Sequence, residues 1–231
     1  MKFGEQMEKD IDKNFFKEKI KKENPTIFDV GTFDGSDCLD FLEIFDNPNI
    51  YAFEADKRSV DIFKKYVGDR PINLVETALS NVDGEIEFYQ SESETRRHTR
   101  YDYEKTWSAS SSIKKPDNHL SVFPDIQFEL NKVKSTKLDT WISDKNIDLI
   151  DVMWVDVNGG EEEFLDGGKK TIIEKVNYLY IEFNGVDDRK LYEDCYTANQ
   201  IKDTLPNFEE LGIYNFMGNF GNILLKNKGV G

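Results

Sequence analysis

The chain has 231 residues, enough for one sizeable domain, and 13% of them are aromatic and supply material for a core. Its 45 acidic residues against 30 basic residues give a formal net charge of −15, which disfavours nucleic acid as a partner. Cys38 and Cys195 are too few for a secreted disulfide scaffold and are not spaced as metal ligands. No stretch is long and apolar enough to span a membrane and no signal core follows Met1, so we expect a cytoplasmic protein without a metal.

Residues 1–24 are expected to form an N-terminal helix ahead of the main domain. Between residues 5 and 23, apolar side chains recur at near-helical spacing among many charges, which predicts an amphipathic helix over a sheet edge or over the mouth of a cofactor site. Pro25 ends it, and residues 25–231 are expected to form one domain with an inserted loop at residues 91–124. The apolar positions are Met7, Ile11, Phe15, Phe16 and Ile20.

An apolar strand that runs into a glycine turn and then into a helix organises the rest of the chain. Residues 27–30 form the near-continuous apolar run expected of a strand buried on both faces. Gly31 and Gly35 bracket the turn, and Ser36 or Asp37 is expected to cap the helix that follows. A strand, a glycine turn and a helix open a nucleotide-type binding unit, whose ligand lies over the carboxyl end of the strand.

The spacing of the glycines indicates which ligand fits the turn. A dinucleotide fingerprint needs a glycine two residues after the first one, and Phe33 occupies that position, which argues against NAD(P). There is no Gly-Lys-Ser/Thr ending to hold a triphosphate. A nucleoside without a pyrophosphate remains, and S-adenosylmethionine fits that description. On this stretch alone, an ordinary strand-to-helix turn explains the pattern equally well.

Strand and helix patterns alternate through the rest of the chain, as is typical of a mostly parallel α/β sheet. Strands are predicted at residues 50–54, 72–77, 128–133, 152–157 and 178–183, with a short hairpin turned by Gly84. Helices are predicted after residue 55, ending at Gly68, and at residues 138–142, 161–174 and 199–205, with a break at Gly167 and Gly168. Residues 209–214 and 222–226 are expected to form an antiparallel pair.

Residues 91–124 have no regular apolar spacing and are rich in Ser, Thr, Arg and Tyr. A segment this long inside a compact domain is usually a lid, a binding loop or disorder, so we expect it to belong to the acceptor site and to be mobile until a ligand binds. Its basic cluster, Arg96, Arg97 and Arg100 around His98, could meet a phosphate-bearing acceptor. A solvated loop is the commoner explanation of such a run.

Three predicted core strands end in a carboxylate: Asp29 on the first, Glu54 on the second and Asp156 on the fourth. The carboxyl ends of parallel strands share one rim of the sheet, which is where ligands bind. Glu54 follows Gly31 by 23 positions, close to the interval of about 20 residues at which an acid reaches the ribose hydroxyls in Rossmann units. Each acid alone is more often a helix cap or a solvated strand end, but the three together favour a nucleoside site.

The chain also carries a series of short segments in a characteristic order: Phe28-Asp29-Val30-Gly31 with Gly35, Phe53-Glu54-Ala55, Ala78-Leu79-Ser80 with Gly84, Thr136-Lys137-Leu138-Asp139, and Trp154-Val155-Asp156-Val157-Asn158-Gly159-Gly160-Glu161 with Leu165 and Gly167. In order and spacing they resemble the FkbM-type S-adenosylmethionine-dependent methyltransferases. The resemblance implies a Rossmann-like class I methyltransferase fold, which is a mostly parallel seven-stranded sheet with helices on both faces and an antiparallel C-terminal strand. It also implies S-adenosylmethionine as cofactor and methyl transfer to a hydroxyl of a sugar, glycan or related small molecule, with nucleotide-linked sugars among the options.

Site residues follow from the strand ends and from the resemblance. Asp156 is the best-placed acceptor for a hydroxyl proton, with His98, His119 and Glu182 as weaker candidates. The cofactor residues that the resemblance implies are Asp29, Gly31 and Gly35 around the methionine end, Asp34 as a further contact in the turn, Glu54 at the ribose, Thr77 and Ala78 beside the adenine, and Asp156 at the reacting centre.

The chain departs from the family in two turns. The family usually has Glu or Gln at the position of Asn158 and a residue other than glycine at the position of Gly160. We therefore expect the shape of this turn to differ from that in the family. Thr32-Phe33-Asp34 replaces the more usual Ala-Asn pair of the first turn. A non-catalytic S-adenosylmethionine- or glycan-binding protein with the same fold is therefore the alternative, whereas an NAD-dependent sugar-modifying enzyme is opposed by Phe33.

Overall fold

The computed structural model describes residues 10–93, 107–186, 189–218 and 220–231. Its strands, in chain order, are β1 (Thr26–Val30), β2 (Asn49–Glu54), β3 (Ile72–Glu76), β4 (Ala78–Leu79), β5 (Gly84–Glu92), β6 (Gln127–Thr136), β7 (Ile150–Val155), β8 (Val176–Phe183), β9 (Gly185–Val186), β10 (Arg189–Lys190), β11 (Phe208–Tyr214) and β12 (Gly221–Asn227). Its helices are α1 (Asn14–Lys19), α2 (Ser36–Ile44), α3 (Lys57–Val67), α4 (His119–Val122), α5 (Leu138–Trp141), α6 (Glu161–Gly167), α7 (Lys169–Lys175) and α8 (Ala198–Thr204). No helix within these ranges is both long enough and apolar enough to cross a membrane.

Seven strands form one sheet in the order β11, β12, β8, β7, β1, β2, β3. The neighbours from β8 to β3 are all parallel, and β12 runs antiparallel to both β8 and β11. The interior strands β1, β7 and β8 are buried along nearly their whole length, as their continuous apolar runs predict. The predicted mostly parallel sheet with an antiparallel C-terminal strand is confirmed.

Helices cover both faces of the sheet, as expected. One face packs against α1, α2 and α3, and the other packs against α5 to α8. The break predicted at Gly167 and Gly168 separates α6 from α7. The strand order places the carboxyl ends of β2, β1 and β7 next to one another on one rim. The helix residues at the centre of the two cores are Phe16, Phe41 and Phe63 on the first face and Leu138, Phe164, Ile172 and Ile201 on the second.

The N-terminal helix is shorter than its apolar spacing predicts. Within the described residues α1 covers only Asn14–Lys19, and Ile20 already has extended backbone with φ −93° and ψ 101°. Ile11 and Ile20 are nevertheless buried in the first core. Residues 10–13 are held by side-chain hydrogen bonds to α2 and β8, and these contacts replace the predicted first turns of helix. Met7 lies outside the described part of the chain.

Gly84 does not turn a local hairpin, so that prediction is wrong. β5 begins at Gly84 and pairs antiparallel with β6, from Gly84 opposite Ser135 to Glu92 opposite Gln127. β4 pairs parallel with β6, and the three strands form a separate small sheet. The partner of β5 lies beyond a long intervening segment, and local apolar spacing carries no information about such a distant strand.

The segment predicted as a loop at residues 91–124 begins later than expected, because β5 continues to Glu92. Residues 107–124 are packed on the protein: Ser108, Ser110 and Ser112 are buried, and Ser112 bridges to Tyr89 of β5. Hydrogen bonds of serine side chains hold this part, which is why it shows no regular apolar spacing. Residues 94–106, with His98 and the arginine cluster, lie outside the described residues.

Candidate active site

A cavity of about 270 Å³ opens at the carboxyl ends of β1, β2 and β7. Its walls are the turn after β1, the end of β2, residues 77–79, the turn after β7, and residues of the segment 108–113. Four carboxylates line it: Asp34, Asp37, Glu54 and Asp156. None of the described residues that line the cavity is a lysine or an arginine. The site therefore favours neutral or cationic ligands.

Gly31 occupies the tightest point of the rim. Its φ is +80°, and a Cβ at this position would lie 1.8 Å from the backbone oxygen of Asp156. Hydrogen bonds draw the three strand ends together here, since the Asp156 N–H donates to Val30 O over 2.9 Å and the Gly31 N–H donates to Phe53 O over 3.0 Å. A glycine is required because the turn after β1 passes directly against the turn after β7.

Asp29, which was expected at the methionine end of the cofactor, does not line the cavity. Its side chain is buried, and its Oδ2 accepts hydrogen bonds from Thr32 Oγ1 (2.6 Å) and Cys38 Sγ (2.9 Å). Burial, together with the charge of Asp37, raises the pKa of Asp29 to about 7. Asp29 braces the turn from below, between β1 and α2.

Gly35 and Asp34 shape the start of α2. Gly35 is the N-cap with φ +79°, and a Cβ there would meet the side chains of Phe63 and Val67 on α3 at 2.6 and 2.5 Å. Gly35 does not line the cavity and serves the packing of α2 against α3. Asp34 Oδ1 accepts the N–H of Ser36 over 2.8 Å. Asp34, and not Ser36 or Asp37 as predicted, provides the side-chain hydrogen bond at this helix start.

Glu54 is fixed at the rim by backbone groups. Its Oε2 accepts the N–H of Phe33 over 2.9 Å, and its Oε1 accepts the N–H groups of Ala55 (2.8 Å) and Asp56 (2.7 Å). Burial raises the pKa of Glu54 to about 8. The three backbone hydrogen bonds favour the charged form and lower the pKa, but burial has the larger effect. Phe33 reaches its bond through a left-handed conformation with φ 51°. The carboxylate is thus held in one orientation beside the glycine turn.

Thr77 and Ala78 line the end of the cavity beyond Glu54, as predicted for residues beside an adenine. Leu79 and Phe88 line the cavity with them. These side chains give this end an apolar surface, in contrast to the carboxylates around the turns after β1 and β7. A flat aromatic base fits such a surface.

Residues 108–113, part of the segment that was expected to belong to the acceptor site, form a wall of the cavity. Ser108 bonds through its hydroxyl to Ser59 of α3 over 2.8 Å, and Ser111 donates to Asp56 Oδ2 over 3.1 Å. Ser112 donates to the backbone oxygen of Asn158 over 2.6 Å. The wall is therefore tied to both sides of the cavity. The run of serines at residues 108–112 was the available signal, but only the fold shows what they bind.

Asp156, just beyond the end of β7, and Glu182, near the end of β8, form a hydrogen-bonded carboxyl pair. Asp156 lines the cavity, whereas Glu182 lies behind it and accepts a hydrogen bond from Asn184 Nδ2 over 2.5 Å. Burial and the charge of Asp156 raise the pKa of Glu182 well above its usual value. Burial and the charge of Asp37 raise the pKa of Asp156 to about 6, and the bond from Glu182 limits that rise. The shared hydrogen bond lowers the pKa of Asp156 and raises the pKa of Glu182, which makes Glu182 the donor of the pair.

Glu161 is a third acid of this cluster that sequence reasoning did not assign to the site. It is fully buried at the start of α6, and its Oε1 accepts the N–H of Gly159 over 3.0 Å. Among the described residues its Oε2 has no hydrogen-bond partner, and burial raises its pKa to about 8. Glu161 holds the turn in which Asn158 has φ 51° and Gly159 has φ 95°. This turn carries the departures from the family pattern.

The two histidines do not contribute to the described cavity. His98 lies outside the described residues. His119 is buried, with its ring packed against Phe123, Phe128 and Tyr192 at centroid distances of 5.0, 5.1 and 5.3 Å. Across the described ranges, no group of three or more His, Cys, Asp or Glu side chains is arranged to hold a metal ion.

Two solved structures share the fold at low sequence identity. Aeropyrum pernix fibrillarin, crystallised with natively bound S-adenosyl-L-methionine, has a TM-score of 0.50 at 11% identity, over 89% of this chain and 67% of that one. TehB from Haemophilus influenzae has a TM-score of 0.50 at 13% identity, over 93% of this chain and 62% of that one. At these identities the likeness concerns the fold alone.

Sequence comparison identifies the family. The chain is 34% identical over 211 residues to the 2-O-methyltransferase NoeI of Sinorhizobium fredii. The aligned region covers 90% of this chain and 82% of that protein. The family model of the methyltransferase FkbM domain matches residues 29–213, from the glycine turn to β11. The resemblance found in the short segments is confirmed, and the chain belongs to the FkbM methyltransferase family.

Proposed function

We propose that this protein transfers a methyl group from S-adenosylmethionine to a hydroxyl group of a sugar, glycan or related small molecule. The observation that carries the proposal is the pair of carboxylates, Glu54 and Asp156, in the lining of one cavity. Glu54 is held by three backbone donors beside the glycine turn, and Asp156 is ionised above pH 6 beside the turn after β7. The first is suited to bind a nucleoside, and the second is suited to accept a proton.

The residues present fit S-adenosylmethionine as the methyl donor. Its sulfonium and ammonium groups are cationic and it carries no phosphate, which matches a cavity lined by four carboxylates. The two oxygens of Glu54 suit two vicinal ribose hydroxyls, and Thr77, Ala78 and Phe88 offer a surface for the adenine. When bound, the cofactor supplies an electrophilic methyl group on sulfur. NAD would place a pyrophosphate beside Phe33 and these carboxylates, which disfavours it.

The chain's own residues then have two tasks. The walls hold the acceptor oxygen close to the reacting carbon, and positioning of this kind supplies most of the rate of a displacement. Asp156 accepts the hydroxyl proton in its ionised form. Glu182 donates its proton in a hydrogen bond to Asp156, which keeps that carboxylate oriented toward the cavity. His98 stays a candidate from sequence alone.

The acceptor class rests on the relative and on charge. NoeI is named a 2-O-methyltransferase, which supports oxygen as the acceptor atom in a relative with 34% identity. The acidic lining supports a neutral sugar. A nucleotide-linked sugar would need cations for its phosphates, and the arginines at residues 96, 97 and 100 are the candidates. We place the protein in the cytoplasm, because its two cysteines are buried and unpaired.

Calorimetry and a transfer assay test the proposal. We expect S-adenosylmethionine and S-adenosylhomocysteine to bind, and NAD to give no heat of binding. Methyl transfer from labelled S-adenosylmethionine is then measured on a panel of free, oligomeric and nucleotide-linked sugars. Binding of the cofactor without transfer to any sugar would favour a non-catalytic binding protein, and binding of NAD alone would contradict the cofactor assignment.

A further inference from the structure

Lys13 places a buried cation directly behind the wall of the acidic cavity, which it does not itself line. Only 9% of the residue is exposed. Its Nζ donates to Asp37 Oδ1 over 2.6 Å and to Asp40 Oδ2 over 2.9 Å, and it lies 4.7 Å from the ring centroid of Trp154. Asp37 and Trp154 both line the cavity, whereas Asp40 does not. The cation is thus in direct contact with two residues of the cavity wall.

The sheet fixes this position. Asp10 Oδ1 accepts the hydroxyl of Tyr180 over 2.9 Å, and Tyr180 stacks on Trp154 with a centroid distance of 4.0 Å. The neighbouring Ile11 is buried in the core. Burial disfavours the charge of Lys13, but the ion pairs with Asp37 and Asp40 outweigh burial and raise its pKa. Lys13 is therefore charged and held in place before any ligand arrives.

Two features of the site call for such a cation. The cavity contains carboxylates that can bind an ammonium group, but its described lining contains no lysine or arginine for a carboxylate. An ammonium group has three N–H donors, and Asp37 and Asp40 take two of those of Lys13. The third has no hydrogen-bond partner among the described residues.

We propose that Lys13 and Asp37 together bind the amino-acid end of the methyl donor, Lys13 its carboxylate and Asp37 its ammonium group; this proposal rests on the function proposed above. The amino-acid end of the donor is a zwitterion. Beside the ion pair, its carboxylate faces Lys13 and its ammonium group faces Asp37, so each charge is neutralised by an opposite one. The N-terminus of α2, directly beside Asp37, adds partial positive charge for the carboxylate. The segment before α1 is then a part of the cofactor site.

Three ligands separate this role from a purely structural one. S-adenosylmethionine has both charged groups, decarboxylated S-adenosylmethionine lacks the carboxylate, and 5′-methylthioadenosine lacks the whole amino-acid end. Lys13→Met should weaken binding of the first by about ten- to a hundredfold, the loss of one charge-assisted hydrogen bond. Binding of the other two should change by less than about threefold, since they have no carboxylate for Lys13. Asp37→Asn should weaken both amine-bearing ligands and leave 5′-methylthioadenosine unchanged.

Lys17→Met is the matched control, because Lys17 lies on α1, the helix that follows Lys13, its side chain is 43% exposed, and it is 3.9 Å from Asp46, away from the cavity. It should leave all three affinities unchanged. If Lys13→Met does not fold, Lys13→Gln replaces it with the same expected pattern. Equal losses for all three ligands, or no loss for S-adenosylmethionine, would overturn the inference. Failure of the unmodified protein to bind any of the three ligands would instead overturn the proposed function.

Discussion

At the scale of single residues, the site depends on carboxylates whose surroundings differ. Glu54 accepts three backbone N–H groups, whereas Asp156 has the carboxyl group of Glu182 as its hydrogen-bond partner. In the proposed function, the first arrangement orients a hydrogen-bond acceptor for the ribose, and the second orients a carboxylate that accepts a proton. Position along neighbouring strands was enough to predict both residues, because parallel strands end at one rim.

Glu54→Gln should weaken binding of S-adenosylmethionine by about 1–3 kcal/mol, because it replaces one of the two oxygens that receive the ribose hydroxyls with an amide group. It also places an amide nitrogen against backbone N–H donors. Calorimetry measures the change. Glu76→Gln is the control, since Glu76 is exposed at the end of the neighbouring strand β3. Equal affinities of Glu54→Gln and the unmodified protein would remove Glu54 from the ribose site.

Asp156→Asn should lower kcat by about 10²–10⁴-fold, the range for loss of a general base, while the protein still folds and binds its cofactor. The pKa of Asp156 is raised to about 6, so kcat of the unmodified enzyme should rise as pH increases through 6. Rates from pH 5 to 8 at saturating substrates check both effects. Asp148→Asn, in the exposed turn before β7, should keep the normal rate and profile. A normal rate in Asp156→Asn would leave that residue a structural role only.

Burial explains which site residues the sequence did not predict correctly. Asp29 was expected at the ligand, but its side chain points to Thr32 and Cys38 beneath the turn. Glu161 was seen only as the start of a helix, although it is fully buried beside Gly159. In both cases the residue type and spacing were visible, but the side of the turn on which the carboxylate lies depends on the packing of neighbouring elements.

At the scale of elements, the strands of the large sheet were predictable and those of the small one were not. β1, β7 and β8 are continuous apolar runs because both of their faces are buried. β5 and β6 are half-exposed and pair across a segment of the chain that includes the wall at residues 108–113. That wall has no apolar stripe, so its contacts with both sides of the cavity could not be predicted without the fold.

Ser91→Ala should loosen the wall. Ser91 is fully buried on β5, and its hydroxyl donates to Trp107 O over 2.8 Å and accepts the N–H of Ser110 over 3.1 Å. Loss of these bonds should lower the free energy of unfolding by about 1–3 kcal/mol. We also expect faster hydrogen exchange at residues 107–113 and weaker cofactor binding, because Ser108 and Ser111 line the cavity.

The control for the wall is Ser143→Ala. Ser143 is exposed, and its hydroxyl donates to Thr140 O over 2.7 Å. Its removal should change stability by less than about 0.5 kcal/mol. If Ser91→Ala destabilises the protein without faster exchange at residues 107–113, Ser91 does not hold the wall.

At the scale of the whole molecule, buried acids couple folding to pH. Burial raises the pKa of Asp156 to about 6, that of Asp29 to about 7, and those of Glu54 and Glu161 to about 8. In the unfolded chain such groups titrate near 4. Between pH 5 and 8 the folded state therefore binds protons that the unfolded state has lost, and stability must fall as pH rises through the folded values.

Without ligand, the Tm should therefore decrease steadily from pH 5.5 to pH 8.5. Glu161→Gln removes one of the titrating groups and keeps an oxygen for the N–H of Gly159, so its Tm should depend less on pH. Thermal unfolding in buffers of constant ionic strength checks both expectations. A Tm that stays constant or rises over this range would show that the pKa values of these acids are not raised in the folded protein.

In the proposed reaction, a methyl group goes from S-adenosylmethionine to a hydroxyl oxygen of a sugar. The most direct measurement follows ¹³C-methyl-labelled S-adenosylmethionine by NMR in the presence of the enzyme and a sugar acceptor identified in the transfer assay. We predict one new ¹³C-methyl signal in the chemical-shift range of a methoxy group, formed together with S-adenosylhomocysteine and absent with Asp156→Asn on the same time scale. A methyl signal on nitrogen or carbon, or cofactor that is bound but never consumed with any sugar, would contradict the account.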